Sequence, residues 1–290
     1  MTASHPPAPV VPGEVCDALQ RLRLAPDDSL RATPLAGITN RSWRIELRGE
    51  AFALRLPAVV DAAALPRELE LRHTRTAAEL GLAPALVAAD PGSGLMLSRW
   101  ISGARPVDPR APQVVDQTGA LLARLHRSSA GFRWRFRGPE IAARQLDLIP
   151  RDDQSAGLVA TLLPGQSARL GRLDATIGQP RPAHNDPNLG NILDDGRRLW
   201  LIDWEYSGLN DPFWDLAAFA EEADLDQDGE RRLLVAWGDP DPAARARLRD
   251  QRRACRWIAG LWYIAQAALR ADPALRAAGH RRLESLAGDT

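Results

Sequence analysis

Residues 184–215 constrain this chain more than any other stretch. His184-Asn185-Asp186-Pro187-Asn188-Leu189-Gly190-Asn191 leads into Ile192-Leu193, then Asp194-Asp195-Gly196, then Leu199-Trp200-Leu201-Ile202 and Asp203-Trp204-Glu205-Tyr206. Short apolar runs on either side of an Asp-Asp-Gly signal read as a β-hairpin with a tight turn. Asp186 and Asn191 precede the hairpin and Asp203 follows it. The hairpin therefore returns Asp203 to the end where Asn191 sits. Asp215 then opens an apolar segment, as a good residue for a helix N-terminus should.

Such a set suits phosphoryl transfer. One carboxylate can orient an attacking hydroxyl and accept its proton. A second carboxylate and a neutral oxygen ligand can hold Mg²⁺ against the phosphates of ATP. Polar turn residues on an ordinary hairpin explain any one of these side chains. They do not explain the whole spaced set, His-x-Asp-x4-Asn followed twelve residues later by Ile-Asp-Trp-Glu-Tyr.

The bulk properties set the frame. The 290 residues suffice for one large domain or two lobes, and 45% hydrophobic content supports a substantial core. The formal charge of zero leaves no electrostatic footprint for nucleic acid. Phe132-Arg133-Trp134-Arg135-Phe136 mixes aromatics with Arg, and one short run of that kind reads as a partly buried, strand-like loop. All 37 basic residues are Arg. Cys16 and Cys255 are too far apart in sequence for a metal-site spacing or a disulfide framework, so a reducing, cytoplasmic setting is expected. Met1 to Pro12 lacks the pattern of a signal peptide and reads as a frayed terminus. No apolar run approaches a membrane span. Monomer and homodimer both remain open.

His184-Asn185-Asp186 and Leu201-Ile202-Asp203-Trp204-Glu205-Tyr206-Ser207-Gly208-Leu209-Asn210-Asp211-Pro212 resemble the choline/ethanolamine kinase family, its bacterial choline kinases above all. That family lies within the aminoglycoside phosphotransferase and protein-kinase-like superfamily. Aminoglycoside kinases more often carry Gly at the position of Asn185. The resemblance extends over roughly residues 34–265. It implies an α+β, two-lobe, protein-kinase-like fold. Residues 1–100 would form a nucleotide-binding lobe, a small antiparallel sheet plus one helix. Residues 101–290 would form a larger, mainly helical catalytic lobe. The implied cofactors are ATP and Mg²⁺, with Asp186 as base and Asn191 and Asp203 as metal ligands. His184 would shape the loop, and Asp215 would brace its backbone.

The same resemblance assigns roles along the chain. Trp43, Ile45 and Leu47 alternate with polar residues as in a half-buried strand, and Gly37, Thr39 and Asn40 form the tip before it. In a kinase-like fold such a loop covers the nucleotide and offers backbone N–H groups to phosphate. Phe52 to Pro57 is the next strand. Its Arg55 stands where these folds place a phosphate-binding base, usually Lys, and the choline kinase branch tolerates Arg there. Pro66 to Leu80 reads as a helix, with Glu70 as the Arg55 partner and Glu68 as the alternative. Ala85–Ala89 and Gly94–Trp100 read as strands, and Ser98 and Trp100 flank the expected adenine-binding hinge. His126 ends a helix from Val114 to Arg127 and reads as structural. A broken helical segment is expected over 151–178, a long helix over Arg252–Arg270 and a polar surface helix from Pro273.

The acceptor is implied to be a small alcohol with a cationic head. Glu222 matches the acid that faces such a head in choline kinases. Family members carry a Trp-Gly-Leu-Trp run where this chain has Ala259-Gly260-Leu261-Trp262, so one aromatic is missing. Trp262, Tyr263 and Glu205 complete the candidate substrate residues. Choline leads, followed by ethanolamine, thiamine and an aminoglycoside. The non-catalytic alternative is a nucleotide-binding module without turnover.

Overall fold

The computed structural model describes residues 11–37, 40–56, 66–129 and 131–287. Met1–Val10, Thr39 and Pro57 lie outside them, so the expectations for the frayed start, one residue of the loop tip and the end of the third strand are not addressed. The chain divides into two compact units, Met1–Ala104 and Arg105–Thr290.

The first unit contains helix α1 (Gly13–Arg21), strands β1 (Arg31–Leu35), β2 (Arg41–Leu47) and β3 (Glu50–Leu56), helix α2 (Arg67–Glu79), and strands β4 (Leu86–Asp90) and β5 (Leu95–Arg99). The strands form one antiparallel sheet in the order β1-β2-β3-β5-β4. Period-2 alternation sets its register: Ile45 faces Phe52, and Leu54 faces Leu97. Val15, Leu19 and Leu22 of the α1 stretch pack with Ile45, Leu47, Phe52, Leu54, Leu95 and Leu97 into a single apolar cluster. Each such aliphatic side chain contributes about 1.5–3 kcal/mol by leaving water.

The second unit is mainly helical. It begins with β6 (Arg105–Pro106), α3 (Pro112–Arg127), α4 (Gly138–Asp147) and α5 (Ala156–Ala175). Strands β7 (Arg181–Ala183), β8 (Ile192–Asp194), β9 (Leu199–Leu201) and β10 (Gly208–Asn210) follow. It closes with α6 (Pro212–Glu222), α7 (Gln227–Trp237), α8 (Pro242–Arg270) and α9 (Pro273–Ala287). The strands form two small sheets, β6-β8-β9 and β7-β10. The helices depart from the sequence expectation at several points: α8 begins at Pro242 rather than Arg252, and α7 had no expectation attached to it. The 151–178 segment holds a single 20-residue helix with Pro164 inside it. Pro164 removes one backbone donor, and Val159, Leu162, Gln166 and Leu170 still bury one continuous face. Helix α4 had no expectation attached to it. The Phe132–Phe136 run is strand-like: both Phe rings are buried, and Leu209 exchanges backbone bonds with Trp134 and Phe136.

Helices α8 and α9 approach almost backbone to backbone. A Cβ on Gly260 would lie 2.5 Å from Leu283 Cδ2, and one on Gly279 would lie 2.9 Å from the Gly260 carbonyl. Among the described residues no helix is long and apolar enough to cross a membrane.

The two thiols differ sharply. Cys255 is buried in α8, and its burial, followed by the charges of Glu221 and Asp215, pushes the thiol well up. Cys16 is only partly buried on α1. Thiol titration of the native protein should therefore modify Cys16 alone, with Cys255 reacting at least roughly 100-fold more slowly until denaturant is added. Equal native reactivity, read by mass spectrometry, would contradict this packing.

Candidate active site

The site grows out of β7 and the hairpin that follows it. After Ala183 the chain turns through His184 and Asn185, and Leu189–Asn191 closes one 3₁₀ turn in which the Asn188 side chain accepts from Gly190 N (2.8 Å). Strands β8 and β9 then pair Ile192 with Leu201 and Asp194 with Leu199. Asp194 thus belongs to the strand, and the connection is the four residues 195–198. Asp195 organises it by accepting from the N–H groups of Arg197 and Arg198. One step beyond the ladder, Ile202 N donates to Asn191 O (3.0 Å). That bond places Asp203 immediately past the cross-strand neighbour of Asn191.

Asp215 holds the loop from below. It is fully buried in the first turn of α6, and its carboxylate accepts three hydrogen bonds. Oδ2 takes the His184 N–H (2.8 Å) and meets His126 Nε2 (3.0 Å), and Oδ1 takes the Asn185 N–H (2.7 Å). The N-cap of α6 is not Asp215 but Asp211, whose Oδ1 accepts from Phe213 N. Asp215 is therefore free to point at the loop. His126 completes the chain of bonds, because its Nδ1 accepts from Trp237 Nε1 (2.9 Å). Its other nitrogen must then carry the hydrogen given to Asp215.

Asn185 has a left-handed backbone, φ 67°. Asn tolerates this region better than most residues, and four bonds hold it there. Besides the bond to Asp215, its Nδ2 donates to Tyr206 O (2.9 Å), its Oδ1 accepts from Asn210 Nδ2 (2.8 Å) and its carbonyl accepts from Trp214 Nε1 (3.1 Å). Asp203 is also left-handed, φ 63°. His184 links the two turns. Its Nε2 faces Ile202 O (3.0 Å) and its Nδ1 accepts from Asp186 N (3.3 Å). A neutral imidazole has one donor and one acceptor, which matches this pair. Burial favours that neutral form and lowers the His184 pKa.

Asp186 is the most perturbed carboxyl of the site. Burial pushes it up to about 7, the negative charges of Asp203 and Glu222 add to this, and hydrogen bonds from Asn188 and Asn191 act against it. Asn188 Nδ2 donates to Asp186 Oδ2 (3.0 Å), and Asn191 Nδ2 donates to the same oxygen and to Asp186 O (3.0 Å each). Both Asn191 bonds use the NH₂ end. The amide carbonyl is thus the end it offers to a cation, with the Asp203 carboxylate as companion. Two hard oxygen donors fit Mg²⁺, which fills its shell with water and phosphate oxygens rather than an all-protein cage. No cluster of three His, Cys, Asp or Glu with metal-binding arrangement occurs among the described residues.

In the first unit the structure brings Arg55 and Glu70 together: an Arg55 NH2 donates to Glu70 Oε1, and Glu70 is fully buried. Arg67, which the sequence did not single out, adds a second guanidinium on Glu70 Oε2 (3.2 Å). A Cβ on Gly37 would lie 2.9 Å from Asn40 O. Asn40 is buried. Ser98 lies within β5, paired with Ala53 on one side and Leu86 on the other. The Trp100 N–H donates to Ala51 O (3.1 Å).

The acceptor candidates separate. Glu222 ends α6 and accepts from Arg282 NH2 of α9 (2.8 Å). The Arg282 guanidinium lies over the Tyr263 ring, 4.5 Å from its centroid. Trp262 stands edge-on to Tyr263 at 5.1 Å, and both are partly buried. Trp257, on the same helix, is fully buried. Glu205 is 4% exposed and offers a ligand little surface. Burial, then Glu222 and Asp186, push the Tyr263 hydroxyl up, with Arg282 opposing. Tyr263, Glu222 and Asp186 therefore feel one another's charge. Arg282 is a side chain that sequence reasoning missed, because nothing in the spacing of α9 marks it.

An antiparallel five-stranded unit with a buried Arg–Glu pair, and a helical unit with this braced Asp-Asn-Asp loop, define a kinase-like phosphotransferase fold. The comparisons with known proteins agree. The model of the phosphotransferase enzyme family matches residues 31–250, and the chain belongs to that family. Protein LicA of Haemophilus influenzae is 30% identical over 72% of this chain, which spans 63% of that relative's length. Thiamine kinase of Escherichia coli O1:K1 is 30% identical over 88% of this chain and 86% of its own. A solved choline/ethanolamine kinase family protein from Mesorhizobium loti superposes with a TM-score of 0.77 at 27% identity, covering 94% of each chain. Choline kinase LicA from Streptococcus pneumoniae shares the fold with a TM-score of 0.78 at 20% identity, covering 96% of this chain and 98% of its own.

Asp215→Asn keeps the side-chain shape but replaces one acceptor oxygen with an NH₂ group facing N–H donors. It should lower the unfolding free energy by about 3 kcal/mol, read as a lower urea midpoint at unchanged slope. A loss under about 0.5 kcal/mol would show that the three bonds do not brace the loop.

Proposed function

We propose that this chain transfers the γ-phosphoryl group of ATP to the hydroxyl of a small cationic amino alcohol, choline first and ethanolamine next. The observation that carries this reading is that Asp186, pushed up to about 7, shares its surroundings with Glu222 and Tyr263. A general base raised toward neutral pH is thus within electrostatic reach of an acid and an aromatic ring suited to a cation. The similarity to a choline/ethanolamine kinase family protein supports the choice of acceptor class.

The roles divide as follows. Asp186 orients the acceptor hydroxyl and takes its proton as the oxygen attacks the γ-phosphorus and ADP departs. Asn191 and Asp203 would hold Mg²⁺, which would neutralise phosphate charge when bound. Arg55, held by Glu70, contacts phosphate as a planar fork that stays charged at any working pH. Residues 1–100, with the loop at Gly37, Thr39 and Asn40, serve the nucleotide, and residues 101–290 serve the acceptor. His184 and Asp215 place the base. Most of the rate then comes from positioning and charge stabilisation. Thiamine is the second reading, favoured by a thiamine kinase that matches most of this chain.

The decisive test is ADP release from Mg²⁺-ATP with choline, ethanolamine, thiamine and kanamycin. Choline should turn over best. ATP-dependent thermal stabilisation with no turnover on any of them would instead mark a nucleotide-binding module. Asp186→Asn should keep ATP binding and lower kcat by about 10³-fold, whereas Asp203→Ala should lose Mg²⁺-dependent ATP binding. Unchanged turnover in either variant rejects these roles.

Trp262→Ala provides a separate check. It should raise the KM for choline about tenfold, in line with the loss of one cation–π face, and leave the KM for ATP within twofold. Equal effects on both would make Trp262 a packing residue.

A further inference from the structure

Glu222 and Tyr263 form the acid-plus-aromatic pair that the proposed reaction needs for its acceptor, yet a cation is already seated on them. Arg282 reaches from α9, donates to Glu222 Oε1 at 2.8 Å and lays its guanidinium over the Tyr263 ring at 4.5 Å. Both distances are those of a made ion pair and a made cation–π contact. The arginine is no loose surface group, since its side chain is 25% exposed and that of Glu222 22%. The neighbouring acid offers no substitute for Glu222. Glu221 is clamped through both oxygens by Arg256 (2.5 and 2.9 Å) and touched by Arg252 (3.3 Å).

We propose that Arg282 is a built-in occupant of the cation subsite, a specificity-determining residue whose guanidinium a cationic acceptor must displace from Glu222 and Tyr263. The inference rests on the reading that these two residues face the acceptor. The physics is competition for one carboxylate and one ring face. A quaternary ammonium has no N–H to donate, so it meets Glu222 by charge alone and gains from the ring what the guanidinium already gains. Arg282 donates a charge-assisted hydrogen bond and is tethered to the site, so it needs no translational entropy to bind. The wild-type subsite therefore discriminates against weakly held cations. It admits those whose remaining contacts, including a hydroxyl at Asp186, outweigh the arginine.

Tetramethylammonium is the probe, because it carries the cationic head without a hydroxyl and its binding is read by calorimetry without turnover. The full-length Arg282→Gln variant should bind it at least tenfold more tightly than the wild type. Arg282→Lys, which keeps the charge but loses the planar fork, should fall between them. Methylguanidinium should compete with tetramethylammonium in the Gln variant and have little effect on the wild type. Unchanged or weaker binding in Arg282→Gln overturns the proposal. If that variant does not fold, Arg282→Lys with no gain in affinity does so instead. A wild type that fails to phosphorylate choline refutes the proposed function, and the tetramethylammonium titration still reads the arginine independently.

Discussion

One buried carboxylate organises the helical unit. Asp215 gathers the backbone N–H groups of His184 and Asn185 and the ring of His126, and His126 in turn receives the indole N–H of Trp237. Four elements, α3, α6, α7 and the loop after β7, thus meet at one charge. An unpaired carboxylate in such a place is costly, so the donors and the acid fix one another. The N-terminal turn of α6 adds the favourable end of its dipole. The loop that carries Asp186 is therefore set by the packing of the helices behind it.

The two left-handed turns show what that bracing achieves. Asn185 and Asp203 adopt φ values that non-glycine residues avoid, each at a cost on the order of 1–3 kcal/mol. Neither conformation persists on propensity alone. For Asn185 four hydrogen bonds over-determine it, and the carboxamide supplies two of them. That explains how Asn can stand where a glycine is the simpler solution. His184 joins the two strained turns through a neutral ring whose single donor and single acceptor are both used.

Much of this was legible in the sequence, and the pattern of what was not has physical causes. The hairpin and the strand periodicity around Ile45 and Leu54 could be read because turn chemistry and alternation are local signals, whereas the pairing of Arg55 with Glu70 came from the family resemblance. The hairpin turn was misjudged by one residue because Asp194 looks like a turn residue yet pairs in the ladder. Pro164 suggested a break in α5, but one missing donor does not outweigh a continuous buried face. Asp211 was overlooked as the cap of α6 because Asp215 is an equally good first-turn residue. Arg67 and Arg282 were invisible because their partners, Glu70 and Glu222, are chosen by helix placement, and the chain holds too many arginines for any one to stand out.

The backbone-to-backbone crossing of α8 and α9 at Gly260 and Gly279 has a consequence for how such enzymes diverge. Arg282 follows Gly279 by a single turn, so the crossing sets how far its guanidinium reaches toward Tyr263. A methyl group at Gly279 would meet the Gly260 carbonyl at 2.9 Å and push the terminal helix outward, carrying the arginine with it. With Arg282 in its proposed role, a change of acceptor preference would then need no mutation among the binding residues themselves. Under the proposed role of Arg282, selectivity would be set partly by the spacing between two helices as well as by the residues of the pocket.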